Sequence, residues 1–316
     1  MHSFFHPTSP QAHVVTTLWW WMFGVGGAVW LIVVIAMLYA ARARRGERGD
    51  DGLLHVSEST HHAMERTVIG AGVVTVVILL AFLAYDFSVG EALAQHPDRA
   101  LTIELTGHQW WWEATYENPD PSKRITTANE IHVPVGRPVQ IKLRSADVIH
   151  SFWVPNLNGK RDLIPGYVSS QWFTADTAGM YRGQCAEFCG LQHAKMALYI
   201  IAEPAAKFDA WLAASATTAP LPTDSATRFG EQVFLTASCA VCHSIAGTPA
   251  MATVGPNLTH IASRRTIAAG TLANNRANLT GWIVDPQAFK PGTLMPKSTL
   301  QPAELQALIA YLETLK

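Results

Sequence analysis

The chain has 316 residues, of which 49 % are hydrophobic and 15 % charged, and a formal net charge of −1. That length holds two or three domains, and the near-neutral balance, with no basic run interleaved with aromatics outside the flanks of its apolar segments, excludes a nucleic-acid partner. So apolar a composition is high for a protein wholly in water, and particular segments have to account for it.

Two segments do. The first runs from about Thr17 to Ala40 and contains Trp19-Trp20-Trp21 and Leu31-Ile32-Val33-Val34-Ile35. The second covers about 67–86. Each has roughly the 20 apolar residues that carry a helix across the hydrocarbon core of a lipid membrane, and the Trp cluster suits an interfacial aromatic belt. Between them lie Arg42, Arg44, Arg45, Arg48 and Arg66, whereas no Lys or Arg precedes Thr17. The positive-inside rule therefore places the connecting loop in the cytoplasm and both termini on the outer face. A cleaved signal peptide would have a basic start and a shorter apolar run, so the first segment reads as a retained helix.

From Ala100 to about Glu203 the period changes. Leu101–Gly107, Glu130–Pro134 and Val139–Arg144 alternate apolar and polar residues between Pro, Gly and Asn. Several such strands in succession predict a β-sandwich or barrel. Within this region, Gly107-His108-Gln109-Trp110-Trp111-Trp112 cannot turn all three Trp to one side, because side chains alternate along a strand. A short helix is expected from Ala205 to Ala214. Residues 215–223 (Ser-Ala-Thr-Thr-Ala-Pro-Leu-Pro-Thr) read as a linker. The expected domains are therefore 1–99, 100–204 and 224–316, with 205–223 as helix and linker.

Chemistry concentrates in Gln184-Cys185-Ala186-Glu187-Phe188-Cys189-Gly190-Leu191-Gln192-His193-Ala194-Lys195-Met196. Two thiolates, an imidazole and a thioether are ligands that select copper over magnesium or calcium. A second imidazole, His150, precedes Ser151-Phe152-Trp153-Val154-Pro155. One Cys, one His and a weak Met suffice for one copper; two Cys and two His suffice for a pair bridged by both sulfurs. Two Cys four apart are also compatible with buried thiols or half a zinc site.

The remaining cysteines lie in Cys239-Ala240-Val241-Cys242-His243. C-x-x-C-H is the attachment signature of c-type haem; a redox C-x-x-C or a zinc knuckle is the competing reading. A distal Met is expected. Met295, in Lys290-Pro291-Gly292-Thr293-Leu294-Met295-Pro296, is the candidate, and Met251 is its rival. His260 reads as a surface or propionate-side residue.

The Cys185–Met196 segment with His150 resembles the CuA centre of subunit II of bacterial cytochrome c oxidases. Gly230, Phe234, the haem motif, Gly255-Pro256-Asn257-Leu258, Arg264, the Met295 loop and a final amphipathic segment with Tyr311 resemble a class I cytochrome c. Together they resemble the caa type of subunit II, with a fused cytochrome c domain. The resemblance covers almost the whole chain. It implies a two-helix transmembrane hairpin, a cupredoxin-like β-sandwich and an all-α cytochrome domain.

The resemblance also implies roles. Cys185 and Cys189 would bridge two coppers, His150 and His193 would each cap one, and Met196 and the Glu187 carbonyl would be weak axial ligands. The Glu187 carboxylate would help hold magnesium at subunit I. Trp110 would mark where electrons come in, with Trp112 in the core. Glu65, otherwise a water-facing partner of Arg66, would lie near a proton path, and Arg161 and Asp162 would face subunit I. The implied function is to relay electrons from a cytochrome c or bc complex through haem c to CuA and on to haem a in subunit I. Subunit III would be a further partner, oxygen would be reduced in subunit I, and the complex would pump protons. The setting is the bacterial cytoplasmic membrane, with lipid around the hairpin and every redox centre periplasmic. A CuA-bearing subunit of a nitric oxide reductase is the alternative, a free-standing copper or electron carrier another. Quinol oxidase subunits of this fold lack the copper ligands.

Overall fold

A computed structural model describes residues 3–43, 57–94, 97 and 99–316. Its two long helices are α1 (Pro10–Ala43) and α2 (Glu58–Ala94). Both extend beyond the apolar segments read from the sequence. A helix does not stop where hydropathy falls; it runs on through residues such as Glu58, Ala63, Met64 and Glu65, which lose little side-chain freedom in a helix. Each contains a stretch long and apolar enough to cross a membrane. Trp30, Ile32, Val77 and Leu80 are all exposed, the arrangement lipid can solvate while the helix satisfies its own backbone. Of the basic residues that set the predicted orientation, Arg44, Arg45 and Arg48 lie outside the described residues.

The outer region is a β-sandwich. One sheet has the order β3-β2-β1-β5-β8, from β1 (Leu101–His108), β2 (Trp111–Tyr116), β3 (Ile125–Ala128), β5 (Val139–Ser145) and β8 (Ser169–Phe173). The other has the order β4-β10-β9-β6-β7, from β4 (Glu130–Pro134), β6 (His150–Trp153), β7 (Arg161–Leu163), β9 (Gly179–Cys185) and β10 (Ala197–Glu203). Alternation is visible in β1, where Ile103 and Leu105 are fully buried and Thr102 and Glu104 are not. Ile141, Leu143 and Trp112 of the same sheet and Ile131, Leu198 and Phe152 of the other join them in the core. Each such large apolar side chain contributes roughly 1.5–3 kcal/mol on burial. Helix α3 (Ala205–Ser215) closes one end: Phe208 is buried and Trp211 stacks on His132 at 4.1 Å between ring centres.

The segment before α1 is tied to this sandwich. Thr8 N donates to Asn156 O at 2.8 Å, Asp176 N to Thr8 O at 2.8 Å, and Asn156 Nδ2 to His6 O at 2.7 Å. Ser9 Oγ bonds Leu157 O, and Gln11 Oε1 accepts from Thr174 N at 3.2 Å.

The C-terminal region contains α4 (Ser225–Thr236), α5 (Cys239–Cys242), α6 (Arg276–Val284), α7 (Pro286–Phe289) and α8 (Pro302–Thr314). Asp224 caps α4 by accepting from Ala226 N and Thr227 N, each at 2.9 Å. The terminal helices α4 and α8 cross at Gly230, where a Cβ would lie 2.0 Å from the Ala307 carbonyl oxygen. Only a residue without a side chain lets the two backbones approach so closely. One departure from an all-α domain is a hairpin of β11 (Thr266–Ile267) and β12 (Leu272–Ala273). Its turn places Ala268, Ala269 and Gly270 at positive φ. Two alanines in that region leave no turn signal in the sequence.

Gly230→Ala should destabilise the C-terminal region by on the order of 3 kcal/mol, since overpacking here meets backbone and not a yielding side chain; thermal unfolding followed by circular dichroism checks this. Burial holds the His132 imidazole below its usual pKa of 6.5, outweighing Glu203, whose carboxylate lies 2.8 Å from Nδ1. The unfolded chain therefore binds the proton more readily below pH 6.5, so this contribution to stability is full above that pH and lost as pH falls below it. Replacing His132 by Gln should flatten that part of the stability–pH profile measured by urea unfolding.

Candidate functional site

The copper-type donors come from one end of the sandwich. His150 opens β6 and Cys185 closes β9; these strands pair Phe152 with Cys185. Cys185 N donates to Met196 O and Ala186 N to Ser151 O, both at 2.9 Å, so the loop leaving β9 is stitched to both neighbouring strands. That loop carries Glu187 and Cys189, then a single 3-10 turn (His193–Lys195) delivers His193, with Met196 just before β10. Among the described residues, ligand atoms of His150, Cys185 and Cys189 lie within 4.8 Å of one another.

The two sulfurs are 3.7 Å apart. That is far beyond a disulfide bond of about 2.05 Å, yet within twice a metal–thiolate bond of about 2.3 Å. His150 Nδ1 lies 3.8 Å from Cys185 Sγ and His193 Nδ1 lies 3.7 Å from Cys189 Sγ, one imidazole on each sulfur. Met196 Sδ is 3.8 Å from Cys189 Sγ, and Glu187 O is 3.2 Å from Cys185 Sγ. Thiolates, imidazoles, a thioether and a carbonyl around two sulfurs fit a pair of coppers in a shared thiolate bridge.

Asp147, which no motif singles out, orients His150. Its carboxylate oxygen is 2.8 Å from His150 Nε2, and the second oxygen accepts from Gln109 N at 2.7 Å. A carboxylate only accepts, so Nε2 carries the hydrogen and Nδ1 is left as the ligand atom. Gly107 makes room: a Cβ there would lie 2.8 Å from the imidazole ring. Burial lowers the His150 pKa, but the Cys185 thiol and Asp147 outweigh it and the net direction is up. The Cys185 thiol is pulled well down, chiefly by the hydrogen bond it shares with Cys189, against the cost of burial. Cys189 moves up correspondingly, through that shared bond and burial. One thiolate is thus favoured before any metal adds its charge.

The C-terminal region presents Cys239 and Cys242 as free thiols at the two ends of α5. His243 follows, and its Nδ1 lies 2.7 Å from Pro256 O. Because a carbonyl only accepts, Nδ1 carries the hydrogen and Nε2 is the lone-pair donor. Burial lowers the His243 pKa, which favours the neutral, ligating form. Met295 packs partly buried against the core of this region, whereas Met251 is 81 % exposed. Val241 and Leu294 are also exposed in the segments that carry the thiols and Met295, as is Val254 just before Gly255-Pro256. Two thiols, an oriented imidazole and uncovered apolar side chains beside them fit a covalently held haem. His260 is half-buried, its Nδ1 2.9 Å from Lys316 O.

Other predicted residues fall as follows. Trp112 is fully buried, with Nε1 reaching Met196 O at 3.4 Å. Trp111 stacks on His108 at 4.3 Å. Trp110 is not an open landing surface: it is 7 % exposed, and its Nε1 donates to Cys189 O at 3.0 Å. Glu65 is exposed on α2 and its carboxylate is 3.4 Å from His62, not paired with Arg66; successive helix residues point apart. Glu187, Arg161 and Asp162 are exposed.

Residues 119–203 match the family described as cytochrome c oxidase subunit II, periplasmic domain, and residues 228–316 match cytochrome c. Subunit 2 of cytochrome c oxidase from Alkalihalophilus pseudofirmus is 38 % identical over 90 % of this chain and 82 % of its own length. The corresponding subunit of Bacillus sp. strain PS3 is 32 % identical over 76 % of this chain and 72 % of its own. Among solved structures, the periplasmic domain of subunit II of cytochrome oxidase of Bradyrhizobium japonicum is 34 % identical, covering 38 % of this chain and 96 % of that one with a TM-score of 0.36. A cupredoxin-like sandwich with a copper-type donor cluster and a cytochrome c region, following two apolar helices in the chain, defines a membrane protein with periplasmic domains. The chain belongs to the cytochrome c oxidase subunit 2 family, and so to one subunit of an oxidoreductase complex that also contains subunit I.

Asp147→Ala should weaken copper binding by about 10–100-fold, the cost of losing an orienting partner behind a ligating imidazole. Competition against a copper chelator measures it; an unchanged affinity would show that packing alone orients His150.

Proposed function

We propose that this chain relays electrons one at a time from a haem held by Cys239, Cys242, His243 and Met295 to a copper pair held by His150, Cys185, Glu187 O, Cys189, His193 and Met196. The observation that carries this reading is the pair of unbonded sulfurs 3.7 Å apart, with one imidazole nitrogen against each. When bound, a haem and a copper pair held by these residues would supply one-electron redox chemistry at matched stoichiometry. The chain's own residues hold geometry. Strands β6 and β9 fix His150 and Cys185, Asp147 fixes the imidazole tautomer, and the Pro256 carbonyl fixes His243. Rigid, largely buried donors change little when an electron arrives, which favours transfer over bond-making chemistry.

The division that serves this role is a hairpin within 1–99, a CuA domain at 100–204, a helix and linker at 205–223 and a cytochrome domain at 224–316. Such a short, Pro-containing linker keeps the haem region at high effective concentration near the copper site. From a copper pair held here the electron would go to haem a in subunit I, where oxygen would be reduced and protons pumped; subunit III would be a further partner. The donor to the haem is a cytochrome c or a bc complex. The exposed Glu187 carboxylate, whose backbone carbonyl lies 3.2 Å from Cys185 Sγ, is the candidate magnesium ligand toward subunit I, and Arg161 and Asp162 are further candidates for that interface. Glu65, beside His62, is the candidate for the mouth of the proton path. Both termini lie outside a bacterial cytoplasmic membrane; the hydrogen bonds tying residues 6–11 to the sandwich support this orientation, as do Arg42 and Arg66 on the connecting side.

Electron paramagnetic resonance of the copper- and haem-loaded chain tests the assignment. The expected signal is one electron shared over two copper nuclei beside a low-spin haem. Cys189→Ser should convert the copper signal to a mononuclear pattern or abolish it. A mononuclear signal from the unmodified chain would end the CuA reading. Met295→Leu should replace the low-spin spectrum of the reduced haem by a high-spin one, while Met251→Leu should leave it unchanged.

A further inference from the structure

The cytochrome region and the CuA domain grip each other through two buried charged side chains that point in opposite directions. Glu130, on β4 of the CuA domain, is 2 % exposed. Its carboxylate accepts from Thr266 N at 2.7 Å, Thr266 Oγ1 at 2.8 Å and Arg265 N at 3.0 Å, all on the cytochrome side. Lys290, five residues before Met295 in sequence, is also 2 % exposed. Its Nζ donates to Trp110 O at 2.9 Å on the CuA side, and reaches Ala268 O at 3.4 Å. Trp110 and Gln109 in turn donate to the carbonyl of Cys189, at 3.0 and 2.8 Å.

Three contacts lie around these two. Gln192 Nε2 donates to Pro291 O at 2.5 Å, Lys195 Nζ bonds Phe289 O, and Ala197 N donates to Ala269 O at 3.1 Å. Gly292 sits against the Leu191 side chain, which a Cβ would meet at 2.8 Å. Every CuA-side residue here except Glu130 lies beside a predicted copper ligand, and the Phe289–Gly292 stretch leads directly into the Met295 loop. A buried, unpaired charge is costly unless its hydrogen bonds are met in place. Each of these two charges meets backbone of the other region, so separating the regions leaves both in need of new partners.

We propose that Glu130 and Lys290 form a reciprocal clamp that seats the cytochrome region on the Trp110–Cys189 face of the CuA domain, making this chain's own haem domain the occupant of the surface at which a soluble donor would otherwise reach copper. Both are positioning residues: they act through Thr266 and Trp110, and neither touches a metal or haem ligand directly. The covered state of Trp110 follows from this seating. An external donor then meets the haem region, not the copper face. This inference rests on the proposed haem-to-copper relay for its consequence, but not for the docking itself.

The test uses Glu130→Ala and Lys290→Met in the full-length, cofactor-loaded chain; they lie in different regions, so a folding defect in one leaves the other informative. Amide hydrogen exchange reads the clamp directly. Exchange across 264–270 and across 108–112 should rise at least 10-fold in either variant, while β1 and β5 keep their protection. Rapid kinetics reads the consequence. After the haem is reduced in a flash, copper reduction should slow at least 10-fold in both variants, with haem and copper spectra unchanged, and added soluble cytochrome c should begin to reduce copper directly. Unchanged exchange and unchanged transfer would overturn the clamp. If the unmodified chain itself shows no copper reduction after haem reduction, the relay fails, and the exchange measurement alone decides the clamp.

Discussion

Everything functional in the outer region depends on keeping two cysteine sulfurs close without letting them bond. Each cysteine has its main chain held separately. Cys185 is the last residue of a strand paired to β6 and β10, and the carbonyl of Cys189 is held by Gln109 and Trp110. The sulfurs themselves lie 3.7 Å apart, well beyond the roughly 2.05 Å of a disulfide bond. Soft donors kept apart and buried are what a dinuclear thiolate-bridged centre requires, and the sandwich supplies the rigidity that loops alone lack.

A second layer surrounds these donors and carries no ligands. Asp147 sets the His150 tautomer, Gly107 gives the ring its space, and Trp112 fills the core beneath Met196. These groups explain why the site needs a whole domain behind it. The cytochrome region solves the same problem with fewer parts. One carbonyl, that of Pro256, orients His243, and the α4–α8 crossing at Gly230 supplies the frame.

The two regions meet through polar groups directed at backbone. Lys290 illustrates the balance of forces: burial and the nearby Lys195 charge hold its pKa down to about 7. Such a contact is poor as a source of raw stability and good as a source of orientation, because it is satisfied in one arrangement only. Fixed orientation is what such contacts add, since the linker already keeps the two regions together.

Much was legible in the sequence because it depends on local order. The apolar segments, the strand alternation of 101–107, 130–134 and 139–144, the helix from Ala205 and the C-x-x-C-H signature are each set by neighbours a few residues apart. The donor segment from Cys185 to Met196 was visible for the same reason, its residues being close in the chain. What only the tertiary structure decided involves residues distant in sequence. Asp147 behind His150, the cover over Trp110, and the meeting of Glu130 with Thr266 and of Lys290 with Trp110 are all of this kind. A carboxylate on a strand and a lysine before a proline have no periodicity that announces a partner more than a hundred residues away. The β11–β12 hairpin was hidden likewise, because its turn uses alanines at positive φ, held from outside by Ala197. Sequence determined which chemistry the chain could carry; packing decided which side chains would aim it.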